Sequence, residues 1–212
     1  MKTAIIAGAT GLIGKQLLGK LLASPGYVKV VALTRRALKT DHPKLINIVL
    51  DFHRMDEALK GLQPDDVFCC LGTTMGKAGS KEKFYEVDFH YPLHLAKTTF
   101  GLGAKQYLLV SAVGADRSSK IYYNRVKGEA EAAIRGVGFD TVHIFRPSLL
   151  LGRRAEKRTG EDAAKVLYKI FSFAIPVKYK AISSDRVASV MLDFASRGML
   201  GTFIHESRDM QD

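Results

Sequence analysis

Tyr123 and Lys127 stand four residues apart in the run Tyr123-Asn124-Arg125-Val126-Lys127, a spacing that brings both side chains to one face of a helix. A phenol with a pKa of about 10 is a poor acid-base catalyst at neutral pH, but a neighbouring ammonium stabilises its phenolate. Such a pair can exchange a proton with a carbonyl or alcohol oxygen. Ser111 closes an apolar run upstream, and its hydroxyl could hydrogen-bond the same oxygen. Tyr122 is a competing phenol, but its partner one helical turn on is Val126. A Tyr/Lys pair alone is common and inert on helix surfaces; a strand-end serine in the same chain changes the balance.

A second group of residues suggests what would be held beside them. Gly8, Ala9, Thr10, Gly11, Leu12, Ile13 and Gly14 lie between a short apolar strand and an amphipathic helix, where helix amides can receive a pyrophosphate. Gly8 lets the chain turn off the strand, Gly11 puts no Cβ between backbone and phosphate, and Gly14 lets the helix approach the sheet. The second strand ends in Thr34-Arg35-Arg36, where an acidic side chain would instead receive the ribose hydroxyls of NAD. Arginine forks suit a phosphate dianion, so Arg35 and Arg36 predict the 2′-phosphate of NADP over NAD, with stacking of one of them on adenine as an alternative. Leu71, Gly72 and Thr73, at the end of the fourth strand, are counted with the expected cofactor contacts.

The elements that must position these residues follow from periodicity. Strands are predicted over Lys2 to Gly8, Val28 to Leu33, Leu45 to Leu50, Val67 to Leu71, Gln106 to Ser111, Thr141 to Phe145 and Thr202 to His205. Helices are predicted from Leu12 to Leu22, Met55 to Leu62, Lys81 to Leu102 with a bend near Pro92, Tyr123 to Arg135, Asp162 to Phe173, and Ser184 to Ser196. Strands alternating with helices at this rhythm imply an α/β fold: a Rossmann-like, doubly wound parallel sheet with helices on both faces. At 212 residues the chain is expected to form one domain, 1–212, with 151–212 as a small substrate-side region.

These motifs together resemble the short-chain dehydrogenase/reductase superfamily, in its atypical or extended form. The resemblance rests on the glycine turn at Gly8 to Gly14, Asp51-Phe52 after the third strand, Ser111, Tyr123 with Lys127, and Arg146-Pro147-Ser148 after the sixth strand. The run from Ser111 to Ser119 and that from Tyr123 to Glu129 are similar to the Tat-interacting-protein-like oxidoreductases of that superfamily. It implies that Ser111, Tyr123 and Lys127 form a catalytic triad, that Asp51 lies by the adenine, and that Pro147 borders the nicotinamide, with Phe52, Lys127, Arg146 and Ser148 also counted among the cofactor contacts. Many members add an asparagine from the helix after the fourth strand. Here Val87-Asp88-Phe89-His90 has none; a plain helix surface is the preferred reading, with Asp88 or His90 as a candidate substitute.

Composition bounds the remaining choices. The formal charge of +11 fits nucleic acid, an anionic membrane or a polyanionic small molecule, but the basic residues follow no nucleic-acid motif, so a basic solvated surface is preferred. Gly152-Arg153-Arg154 and Lys157-Arg158 read as a basic loop, with anionic substrate binding as the alternative. Cys69 and Cys70 are adjacent, which disfavours a disulfide and any zinc site; no metal is expected. Neither a signal peptide nor a membrane span is apparent, the nearest apolar stretch being Val166 to Val177, and a cytoplasmic location is expected. The favoured function is an NADP(H)-dependent oxidoreductase acting on a small carbonyl or alcohol, the partner being that substrate. An NADPH-sensing protein-interaction module and a sugar-nucleotide epimerase or dehydratase are the alternatives, and a homodimer or a protein partner is compatible with the sequence.

Overall fold

The computed structural model describes residues 1–151 and 180–211. The predicted helix from Asp162 to Phe173 and the basic run from Gly152 to Arg158 lie outside the described residues.

Seven strands form one sheet: β1 (Lys2–Ala7), β2 (Tyr27–Thr34), β3 (Leu45–Val49), β4 (Asp66–Cys69), β5 (Gln106–Val110), β6 (Thr141–Arg146) and, numbered last, β9 (Gly201–Glu206). Their order is β3-β2-β1-β4-β5-β6-β9, and every neighbouring pair is parallel. Between these, β7 (Leu150–Leu151) and β8 (Ile182–Ser183) make a separate parallel pair that periodicity did not foresee. Two residues are too few to carry an alternation.

Parallel strands must be covered on both faces, and alternate residues of β1 divide accordingly. Ala4 and Ile6 pack with Leu17 and Leu21 of helix α1 (Leu12–Ala23) and with Val187 and Met191 of the Ser184–Ser196 helix. Ile5 and Ala7 face the other way, toward Met55 of α2 (Met55–Ala58), Leu95 and Ile134. Cys69 and Cys70 divide between the same two faces, and both are free thiols. The strand order reverses direction between β1 and β4, the place where an open α/β sheet leaves a crevice at its carboxyl edge.

The helix expected over Lys81 to Leu102 is not one bent rod. After the short α3 (Met75–Ala78) come α4 (Lys81–Tyr85), a π-helical turn over Glu86–His90, and α5 (Tyr91–Gly101). The Tyr91 N–H bonds the Glu86 carbonyl five residues back. Pro92 has no N–H and its ring would crowd the carbonyl four residues earlier; widening the preceding turn relieves that conflict. The irregularity therefore falls before the proline and carries Asp88. The helix expected from Met55 to Leu62 is also shorter, a 3₁₀ turn at Phe52–Arg54 followed by α2. After β5 and β6, α6 (Tyr122–Arg135) and the Ser184–Ser196 helix occur as expected.

Candidate active site

The glycine turn joins β1 to α1. Gly8 has φ of +86°, and a Cβ there would stand 2.4 Å from the Cys70 carbonyl oxygen, so the turn lies flat against the end of β4. Gly14 is tighter still: its Cβ would come within 2.1 Å of the Gly8 carbonyl oxygen. The Gly11 N–H closes the turn onto that same oxygen at 2.9 Å. Helix α1 opens at Gly11 with no side-chain cap and no acidic residue in its first turn. Its leading amides therefore have no partner from a capping side chain, and their partial positive charge suits an anion. Thr10 and Gly11 are exposed, Leu12 is half-buried, and Ala9 and Ile13 are buried beneath them.

The predicted discriminating residues follow β2. Thr34 is buried and accepts a 2.8 Å hydrogen bond from Asn47 Nδ2. Asn47 also donates to the Ala32 carbonyl and accepts from the Leu38 N–H at 2.7 Å, which ties down the loop between Thr34 and Leu38. Within that loop Arg35 and Arg36 are exposed and form no salt bridge with any described residue. Asn47 is a loop-ordering residue that β3 periodicity, read only as apolar, did not reveal. Asp51 is exposed and caps the following 3₁₀ turn through the His53 N–H at 3.0 Å. Phe52 is buried and stacks on Tyr91 at 5.3 Å.

Helix α6 presents Tyr123, Lys127 and Glu131 at successive four-residue steps, one stripe of its surface. Lys127 is buried, with its Nζ 2.8 Å from Asp88 Oδ1; the other carboxylate oxygen of Asp88 accepts the Thr73 N–H at 2.8 Å. Burial alone would push the Lys127 ammonium down, yet the Asp88 carboxylate, with help from Tyr123 and Cys69, more than offsets it and the net shift is upward. A Cβ on Gly72 would lie 3.4 Å from Asp88 Oδ1 and 3.5 Å from Lys127 Nζ. The β4 end, from Cys70 against the glycine turn to Gly72 against the ion pair, thus joins the two halves of the site. Tyr123 is half-buried beside Phe84 at 5.5 Å, while Tyr122 turns away and donates to the Lys81 carbonyl at 3.0 Å. His90 is exposed on the outer side of the π turn, against the ring of Tyr85.

Ser111 is brought to the carboxyl edge of β5, buried, where its hydroxyl donates to Glu131 Oε1 at 2.5 Å. Arg146 grips the same carboxylate with Nε at 3.0 Å and Nη2 at 2.6 Å, and holds Glu206 with Nη1 at 2.9 Å. A carboxylate forked by a guanidinium is ionised and can only accept. Ser111 must therefore donate to it, leaving its lone pairs for any further partner. Pro147 is buried, its carbonyl accepting from the Val113 N–H, and Ser148 donates to the Lys180 carbonyl and accepts from Ser207. Glu131 was not singled out from sequence, although its spacing of four from Lys127 was a usable signal. Gly128 was also missed: a Cβ there would meet the Arg117 backbone nitrogen at 2.2 Å, so only glycine lets the 116–117 segment lie on α6.

With this geometry in view, the similarity to known proteins becomes specific. A family model described as NAD(P)H-binding matches residues 8–197. The chain belongs to the NAD(P)H-binding family. Within the atypical short-chain dehydrogenase/reductase superfamily it is 40% identical over 171 residues to protein HTATIP2 of Rattus norvegicus, covering 79% of this chain and 70% of that one. It is 34% identical over 212 residues to the mitochondrial protein FMP52 of Lodderomyces elongisporus, covering 94% of this chain and 89% of the relative. Among solved structures, a short chain dehydrogenase family protein from Francisella tularensis superposes with a TM-score of 0.75 at 14% identity, over 97% of this chain and 96% of that one. The enzyme WbmH of Bordetella bronchiseptica in complex with NAD+ gives 0.73 at 16% identity, over 98% and 76%. Those two structures establish the Rossmann-like fold. No helix among the described residues is long and apolar enough to cross a membrane.

Proposed function

We propose that this NAD(P)-binding protein is an NADP(H)-dependent oxidoreductase acting on a small carbonyl or alcohol. The carrying observation is that one strand end, Cys70 to Thr73, abuts both the glycine turn that leads into the uncapped α1 and the Lys127–Asp88 pair, with Lys127 one helical turn along α6 from Tyr123. The uncapped leading amides of α1, from Leu12 onward, would hold a pyrophosphate, and Arg35 and Arg36 a 2′-phosphate. When bound, the nicotinamide supplies the hydride donor or acceptor. Tyr123 would bind the substrate oxygen and move the proton, with Lys127 stabilising its phenolate. Ser111, whose own proton is given to Glu131, would meet that oxygen's neighbourhood as a hydrogen-bond acceptor, which suits a hydroxyl better than a bare carbonyl.

Isothermal titration is the first test. NADPH is expected to bind more tightly than NADH, and the double variant Arg35→Ala/Arg36→Ala to weaken NADPH by at least about 100-fold while leaving NADH nearly unchanged, since charged hydrogen bonds contribute about 1.5–3 kcal/mol each. Equal affinity for the two nucleotides in the parent protein rejects the NADP assignment. The second test is turnover of a panel of small aldehydes and ketones. Tyr123→Phe is expected to lower kcat by a factor of about 10² to 10⁴ with NADPH affinity retained, the range that a lost general acid accounts for. Unchanged kcat removes Tyr123 from the chemistry.

The cytoplasmic location expected from composition belongs to the same proposal. Several fungal relatives are named as mitochondrial, and fractionation of cells expressing the tagged full chain decides between the two compartments.

A further inference from the structure

We propose that Asp88 is a positioning residue for this site, its buried carboxylate holding the Lys127 ammonium charged and fixed behind Tyr123. The inference rests on the oxidoreductase reading for its functional meaning, but its test does not. Asp88 is 1% exposed and Lys127 is 6% exposed, and their 2.8 Å contact is the charge partner of each. An ammonium so far from water would otherwise shed its proton, because desolvation penalises the charged form of a lysine. A neutral amine would leave the Tyr123 phenolate without its stabilising charge. The groups facing Lys127 are Asp88 from the π turn, Tyr123 from its own helix and the Cys69 thiol from β4; of these only Asp88 is a carboxylate.

The backbone is arranged to deliver this one side chain. The π turn over Glu86–His90 rotates Asp88 inward while His90 stays outside, and π turns inserted in helices recur at functional sites. The Thr73 N–H fixes the second oxygen at 2.8 Å, so the carboxylate cannot swing away. The chain at Gly72 runs directly over the pair, a Cβ there standing in ordinary contact with Asp88 Oδ1 at 3.4 Å and Lys127 Nζ at 3.5 Å. An asparagine here could offer Lys127 one uncharged oxygen, and its amide nitrogen, a donor, would then stand where Asp88 Oδ2 accepts the Thr73 N–H. The acid is thus not interchangeable with an amide: it sets the charge state of the lysine.

The ammonium can be followed directly in the full chain labelled with ¹⁵N-lysine, its NMR signal identified by its loss in Lys127→Met. In the parent protein Lys127 is expected to remain protonated beyond the ordinary lysine midpoint of about 10.4. In Asp88→Asn its proton affinity is expected to fall by about a hundredfold, and Asp88→Glu to restore most of the loss. A merely structural role would change the melting temperature and leave the lysine midpoint in place. An unchanged midpoint in Asp88→Asn overturns the proposal. If that variant does not fold, the parent decides: a midpoint below the ordinary value overturns the proposal, and one above it supports it. Failure of the parent to bind NADPH would instead defeat the oxidoreductase reading while leaving the lysine result intact.

Discussion

Gly14→Ala is expected to weaken NADPH binding by at least about 100-fold and to destabilise the fold, although it adds a single methyl group to a helix. That methyl would stand 2.1 Å from the Gly8 carbonyl oxygen, 2.8 Å from the Gly8 carbonyl carbon and 3.1 Å from Ala9 Cα. All three are main-chain atoms, so no side chain can rotate out of the way. Either α1 lifts from the sheet or the Gly8–Gly11 turn deforms, and each moves the leading amides away from a pyrophosphate. Overpacking of this kind costs about 1–3 kcal/mol and occasionally more. Gly19 in the same helix supplies the control. It is exposed, nothing lies within 4 Å of its Cβ position, and Gly19→Ala is expected to stabilise by up to about 1 kcal/mol through helix propensity. Calorimetric titration with NADPH and urea unfolding of the two variants measure both effects; parent-like affinity in Gly14→Ala refutes the assigned role of the turn.

Acidification is expected to destabilise the protein well above the range where carboxylates titrate. His143 of β6 and His205 of β9 are buried, with His143 Nδ1 and His205 Nε2 2.9 Å apart. His143 stacks on Phe203 at 5.2 Å and His205 on Phe145 at 4.6 Å. The second nitrogen of His143 has no hydrogen-bond partner among the described residues. Burial, then the neighbouring His205 and Arg197, push His143 down to about 4; burial also takes His205 to about 4, with Arg197 assisting and Asp209 opposing. In the unfolded chain both rings titrate near 6.5. Between pH 6.5 and about 4 the unfolded state therefore binds protons that the folded state refuses. The contribution is complete above pH 6.5, is lost as pH falls to about 4, and levels off below. Taken alone, either ring accounts for about 3 kcal/mol over that interval, a large share of the 5–15 kcal/mol typical of a domain. Urea midpoints at pH 7.5, 6 and 5 are expected to fall steeply in the parent and less in His143→Leu/His205→Leu. Parallel pH profiles for the two proteins would show that the rings do not matter.

The sheet and most of its helices were legible because a parallel strand buried on both faces is written as a continuous apolar run, such as Ala4 to Ala7, and a covering helix as a 3.6-residue stripe, such as Leu17 and Leu21. What stayed hidden depends on partners remote in sequence. Glu131 meets Ser111 and Arg146 only after β5, β6 and α6 assemble. Asp88 faces inward because Pro92 forces a wider turn ahead of it, and neither effect is visible in hydrophobic spacing. Sequence separation also explains the His143–His205 pair, which register between β6 and β9 creates. The serine illustrates a subtler gap. Its position on the strand edge follows from sequence, but the direction of its hydroxyl proton is set by a carboxylate twenty residues away.

One face of α1 is covered by the Ser184–Ser196 helix, through Val187, Ala188 and Met191 against the stripe carrying Leu17 and Leu21. During synthesis that stripe emerges from the ribosome long before its cover is made. The nascent protein must carry a bare apolar ridge beside its glycine turn until the Ser184–Ser196 segment has also been translated, a window in which such surfaces attract chaperones or one another.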